Sequence, residues 1–415
     1  MSATRIPPAR GTLRRLCVAA LWVALATTCI ALPVPAGPGR DLFKELLGKG
    51  DADVDLRIEA AWKQLFYGSD ETQRLFYPVA GDMAYIPDVA NNDVRTEGLS
   101  YGMMICVQMN RQREFNAIWK WARTNLYHET GPAKGYFGWH GTLEGKLLDP
   151  GPAPDGEEWF VASLFFAAHR WGSGSGLLDY EGDAQRLLHT MIHKAEEPGH
   201  GEYTSMFDAK EHQIVFVPEG PGAHFTDPSY HLPFFYELWA RWASDPGDRA
   251  FCAEAATTSR SLFKLAADPR TGLMPDYSDF DGKPHEKHGH EDFRYDAWRT
   301  LCYPALDYSW FNPDPWIVKR SDRVLQFLAS HGDKCPDLFK LDGTPASHDF
   351  NATGLFAMAA TAGLAASPEV ARPFVAKLWV MQTPTGRYRY YNGLLYMMAL
   401  LEAGGRFGIF YPPAP

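Results

Sequence analysis

Apolar positions recur at three- and four-residue spacings through most of the chain beyond residue 50, while alternation at every second residue is scarce. The pattern predicts about twelve helices, at 54–66, 96–109, 113–126, 157–171, 180–193, 229–242, 248–266, 295–308, 315–330, 353–365, 368–382 and 389–403. Between them lie segments rich in Gly, Pro, Asp and His. Three helices are apolar around most of their circumference (99–109, 161–168 and 394–401). Helices of that kind are buried on all sides, so the pattern predicts an inner set surrounded by amphipathic outer ones. An all-α toroid satisfies this division, and an irregular helical array satisfies the same periodicity. The long connections, 127–156, 195–228 and 267–294, are expected at one end, where they would wall a groove.

No linker divides the helical region, which predicts one domain over 52–415 after a short lead at 37–51. The first 36 residues differ. Arg5, Arg10, Arg14 and Arg15 precede an apolar run ended by Pro33 and Pro35, the pattern of an export signal. The expected location is periplasmic or extracellular, with no membrane attachment once the signal is removed. Cys17 and Cys29 fall in that segment, leaving Cys106, Cys252, Cys302 and Cys335, too widely spaced for a compact zinc motif. They read as buried thiols, with one disulfide permitted in an oxidising compartment.

Composition narrows the chemistry. A formal charge of −10 argues against nucleic-acid binding, which needs a basic stripe. The 13 Trp and 19 Tyr supply amphipathic rings suited to stacking on sugars as well as to a core. No nucleophile elbow, phosphate loop or dinucleotide fingerprint occurs.

Three acidic residues stand where polar turns become helices. Glu97 lies in Arg95-Thr96-Glu97-Gly98-Leu99-Ser100-Tyr101-Gly102, after Asn92 and Asp93. Asp155 lies in Pro154-Asp155-Gly156-Glu157-Glu158-Trp159, and Asp296 in Phe293-Arg294-Tyr295-Asp296-Ala297-Trp298-Arg299. Each has a plain reading: Asn92, Asp93, Thr96 or Asp155 caps a helix, and the acids in first turns answer the helix dipole. Taken together, in an aromatic-rich chain, they suit glycosidic bond cleavage, which needs one protonated and one ionised carboxyl. A fourth stretch, Asp227-Pro228-Ser229-Tyr230-His231, offers Tyr230 and His231 as substrate contacts or core groups. His285, His288 and His290, with Glu291 or Asp292, raise a metal reading, although their spacing is not that of a helical His pair.

Those four stretches, in this order, resemble glycoside hydrolase family 8, in particular its xylan-active branch, over nearly the whole mature chain. The resemblance implies an (α/α)6 barrel that inverts the anomeric centre without cofactor or metal. It implies Glu97 as general acid, Asp296 as general base, Asp155 as the carboxylate that holds the sugar at the cleavage point, and Tyr230 near the attacking water. Trp139, Trp159, Trp298, Arg299 and Tyr390 are candidates for substrate contact, each of the three tryptophans being equally a candidate for the core, and Tyr390 lying within the segment Arg387-Tyr388-Arg389-Tyr390-Tyr391. The implied substrate is xylan or a xylo-oligosaccharide, and the protein is expected to act as a monomer. Within the branch the nearest likeness is to enzymes that release xylose from the reducing end, whose groove is closed by a His-containing loop. Here the corresponding segment reads Ser347-His348-Asp349-Phe350, so that His348 replaces the block or the groove runs open, as in an endo-xylanase. A sugar-binding barrel without activity and a metal hydrolase built on 285–291 are the alternatives of other classes.

Overall fold

The computed structural model describes residues 1–2, 39–350 and 352–413, so most of the expected export signal lies outside the described residues. From Gly39 onward the described chain falls in one compact unit. Its helices are α1 (Leu42–Leu47), α2 (Asp51–Tyr67), α3 (Thr96–Gln108), α4 (Gln112–Asn125), α5 (Pro154–Trp171), α6 (Tyr180–His193) and α7 (Pro233–Trp242). The remainder are α8 (Pro246–Ala266), α9 (Tyr303–Trp310), α10 (Pro315–Ala329), α11 (Thr353–Thr361), α12 (Pro368–Val380) and α13 (Arg389–Ala403). No described helix is long and apolar enough to cross a membrane.

The odd-numbered helices from α3 to α13 are the inner ring. Helix α3 packs on α5, α7 on α9, α11 on α13, and α13 returns to α3. Phe235 of α7 sets its ring against Trp159 and Phe166 of α5, and α9 packs on the 3-10 turn Ala362–Leu364 that continues α11, which closes the circle. The even-numbered helices lie outside, α4 against α3, α6 against α5, α8 against α7, α10 against α9, α12 against α11, and α2 against α13. This is an (α/α)6 barrel.

Burial follows the two patterns of the sequence. Helix α3 is buried from Gly98 to Gln108 without interruption, as expected of an inner helix touched on every side. Helix α10 buries Ile317, Arg320, Ser321, Val324, Leu325 and Leu328, a single stripe at three- and four-residue spacing.

Two expected helices are broken, both by proline. The segment 229–242 opens as a 3-10 turn, Pro228–Tyr230, before α7 begins at Pro233; 295–308 opens as a 3-10 turn, Asp296–Leu301, before α9. Pro233 and Pro304 have no N–H to continue a ladder from the preceding turn, and each crowds the residue before it. Helix α1 had no periodic signal because it has only six residues; Asp41 caps its start and Gly48, at φ 67°, ends it. A small antiparallel sheet was likewise unforeseen, its strands Pro87–Asp88, Asp93–Arg95, His140–Gly141 and Leu147–Asp149 being too short to show alternation. It matters because its second strand runs directly into α3.

Candidate active site

The N-terminal turns of the inner elements meet at one place. Helix α3 presents Glu97, and strand Asp93–Arg95 fixes its start: Arg95 pairs with His140, and the Thr96 N–H donates to Trp139 O at 3.0 Å. The capping expected here does not occur. Arg95 occupies the N-cap with no side-chain cap bond, Asn92 adopts a left-handed turn at φ 58°, and Asp93 pairs with Arg95 and His140. Asp155 is no cap either: Ala153 takes that position, and Asp155 Oδ1 accepts from the N–H of Gly156 at 2.8 Å. Neither acid occupies the cap position of its helix, and Asp155 keeps one bond to the first turn of α5.

A single guanidinium organises them. Arg299, 1% exposed, donates from Nη1 to Glu97 Oε2 at 3.1 Å, faces Asp155 Oδ2 at 3.5 Å from the same nitrogen, and meets Asp296 Oδ1 from Nη2 at 3.1 Å. Nη1 also reaches the Tyr101 hydroxyl and Nη2 the Ser229 Oγ, each at 2.8 Å, while Nε donates to Asp296 O at 3.3 Å. One buried cation facing three carboxyls leaves an excess of negative charge, so the group favours retaining a proton. Burial raises the Glu97 carboxyl to about 8; Arg299 opposes the rise, while Asp155 and Asp296 reinforce it. Burial also raises Asp155 to about 6, against the pull of Arg299. Tyr390 donates its hydroxyl to Glu97 Oε1 at 3.1 Å. Among the three acids the side chain of Asp296 is the most open, 31% exposed against 17% for Glu97 and 11% for Asp155.

Two glycines allow this approach. A Cβ on Gly98 would lie 2.4 Å from the Tyr390 ring, and one on Gly156 would lie 2.4 Å from Thr96 Oγ1. The Glu-Gly and Asp-Gly pairs of the sequence therefore reflect crowding between helix starts.

Sequence comparison accords with this geometry. The profile of Glycosyl hydrolases family 8 matches residues 81–405, over three quarters of the chain. The chain belongs to glycosyl hydrolase family 8. It is 41% identical over 367 residues to the reducing-end xylose-releasing exo-oligoxylanase Rex8A of Paenibacillus barcinonensis, covering 88% of this chain and 94% of that one. It is 40% identical over 377 residues to the reducing end xylose-releasing exo-oligoxylanase of Halalkalibacterium halodurans, covering 90% and 95%. A crystal structure of a GH8 xylobiose complex from Teredinibacter turnerae superposes with a TM-score of 0.86 at 44% identity, covering 90% of this chain and 98% of that one.

As a family 8 glycoside hydrolase, the chain redistributes several expected roles. Trp159 and Trp298, candidates for stacking on substrate, are 1% and 2% exposed. Trp159 packs edge-on to Tyr101 inside the ring, and Trp298 donates its indole N–H to Asp337 O at 2.9 Å. Both belong to the core, because they project from elements enclosed on all sides. Arg299 and Tyr390, also buried, touch carboxyls where substrate contact was expected. Tyr230 is 7% exposed with its ring 5.6 Å from the Arg299 guanidinium. Trp139 is half-buried, stacked on His140 and facing Arg95, and thus retains open ring surface beside α3. Two rings from stretches the sequence had marked are exposed, Tyr295 beside Asp296 in the chain and Tyr388 two residues before Tyr390. His348 is exposed on its loop.

His231 is structural. It is fully buried between Thr226 Oγ1 and Ser259 Oγ, and burial lowers its pKa to about 3. The metal reading of 285–291 fails on geometry: His285 goes to Asp279 and His290 to Asp276, so these imidazoles serve different carboxylates. Two acids were missed. Asp276 accepts the N–H of Ala297 at 2.9 Å and so braces the turn that carries Asp296; burial raises its carboxyl to about 6. Asp227, wholly buried, accepts from the Ser229 N–H at 2.6 Å, and burial beside Asp296 holds its carboxyl well above the usual range. Asp227 heads a stretch already marked by the sequence, whereas Asp276 is an isolated loop residue without a local signal.

Proposed function

We propose that this protein hydrolyses β-1,4 linkages between xylose units of xylo-oligosaccharides and xylan with inversion, releasing xylose from the reducing end. One observation carries the mechanism: Arg299 gathers Glu97, Asp155 and Asp296 while burial keeps Glu97 protonated near neutrality. In this reading Glu97 gives its proton to the glycosidic oxygen as the bond from C1 breaks. Asp296, the most open of the three, takes a proton from the water that attacks C1 from the opposite face. Asp155 holds the sugar hydroxyls at the cleavage point, and Tyr230 stands beside the water. Inversion calls for roughly 6.5–9.5 Å between acid and base. The choice of xylose rests on the relatives named for it, against 25–28% identity to several endoglucanases.

A specific observation favours a second reading, endo-cleavage. His348, Asp349 and Phe350 are exposed on their loop, and a Teredinibacter turnerae xylanase solved with xylohexaose is 44% identical. Following the products of xylohexaose over time separates the two: stepwise xylose supports reducing-end release, and mixed mid-sized oligomers support endo-cleavage. Glu97→Gln and Asp296→Asn are each expected to lower kcat by at least ~100-fold. Near wild-type rates in both would overturn the assignment. The basic and apolar pattern of residues 1–36 supports export as part of the same proposal.

A further inference from the structure

On the outer ring, away from the carboxyl cluster, three side chains converge in a way the hydrolytic mechanism does not use. His189 and His193 are one turn apart on α6 and therefore share a face. Asp248 is the third residue of the neighbouring α8, whose start is capped by Asp245. His189 Nδ1 lies 2.9 Å from Asp248 Oδ2, and His193 Nε2 lies 2.8 Å from Asp248 Oδ1. One donor atom from each residue lies within 4.8 Å of the other two, and this is the one such group of His, Cys, Asp or Glu among the described residues.

Hydrogen bonds alone satisfy the arrangement only when His193 is doubly protonated. The second nitrogen of His193, Nδ1, faces Glu196 Oε1 at 3.0 Å, so both ring nitrogens of one imidazole point at carboxylates. A neutral imidazole has a single N–H, and its other nitrogen is a lone pair directed at an acceptor. A cation between His189, His193 and Asp248 removes the conflict. Nδ1–H then donates to Glu196, which fixes the tautomer and turns the Nε2 lone pair to the ion, the usual arrangement of a ligating histidine and its supporting carboxylate. We propose that His189, His193 and Asp248 form a divalent transition-metal site, suited to Zn2+, that clamps α6 to α8.

Two imidazoles and one carboxylate match zinc in donor type, and bound at about 2.0–2.2 Å they would leave further positions for water. The Asp248 side chain, 4% exposed, forms the floor, while that of His189, 54% exposed, leaves an entry path. The clamp would join successive outer helices in a chain whose four described cysteines are all free.

The test uses the whole protein after chelator treatment and dialysis, titrated with zinc sulfate by calorimetry and followed by thermal denaturation. One equivalent is expected to bind, and Zn2+ at 100 times Kd should raise Tm by about 5 °C. Cobalt substitution should give the visible absorption of a four- or five-coordinate ion. His189→Ala alters an exposed side chain and is expected to weaken Zn2+ binding at least tenfold; His193→Gln and Asp248→Asn should do the same. Hydrolysis should be unaffected by chelation or by His189→Ala. Absence of binding up to millimolar Zn2+ would overturn the proposal in favour of a hydrogen-bonded clamp with His193 doubly protonated. Equal binding by wild type and all three variants would overturn it by placing the ion elsewhere.

Discussion

At Glu97 opposing effects differ in size enough to decide the outcome. The first turn of α3 favours a negative charge by about 0.3–1 kcal/mol, and the Arg299 guanidinium favours it more. Removal from water, with Asp155 and Asp296 alongside, outweighs both and brings the carboxyl to about 8. The folded protein therefore holds at this site a proton that the unfolded chain gives up near 4.5. Between those values the folded state binds more protons, so stability from this group is present below about 4.5 and is lost as pH rises toward 8. Glu97→Gln removes the dependence. Its unfolding free energy from urea titration is expected to match wild type near pH 4 and to exceed it at pH 8, by roughly 2 kcal/mol once solvent access to a side chain 17% exposed is allowed for. An equal gap at both pH values would show that Glu97 titrates as an ordinary surface acid.

The elements act through their ends. Strand Asp93–Arg95 delivers α3, the 3-10 turn Asp296–Leu301 delivers α9, and Pro154 starts α5, so three acids arrive at helix starts without capping them. Their closeness depends on what is missing between the helices. Gly156→Ala would drive a methyl to 2.4 Å from Thr96 Oγ1, forcing the starts of α3 and α5 apart. Overpacking of this kind costs about 1–3 kcal/mol. The expected result is a lower Tm together with a fall in kcat larger than any change in KM, because the acid moves relative to Asp155. A variant equal to wild type in both would show that the contact relaxes without cost. Glycine at this position was visible in the sequence, but its reason was not, since Thr96 lies 60 residues away in the chain.

For the whole molecule, cohesion comes from ring closure and a continuous apolar core, with no covalent link among the described cysteines. Cys106, Cys252, Cys302 and Cys335 are buried free thiols. Dithiothreitol is accordingly expected to leave Tm unchanged within a degree or so; a marked drop would reveal a disulfide. The helical period determined the twelve principal helices and marked three of the six inner ones, α3, α5 and α13, because burial around a helix is written into its own residues. The ordered acidic motifs likewise marked Glu97, Asp155 and Asp296 as candidates. Only the tertiary structure decided that Arg299 holds all three, that Trp159 and Trp298 are core, and that the convergent histidines are His189 and His193 instead of those at 285–290. The site around Glu97 depends on contacts across 202 residues to Arg299 and 293 to Tyr390, and the histidine pair meets Asp248 across 59 and 55. No local period encodes such distances; they follow from the closing of the ring.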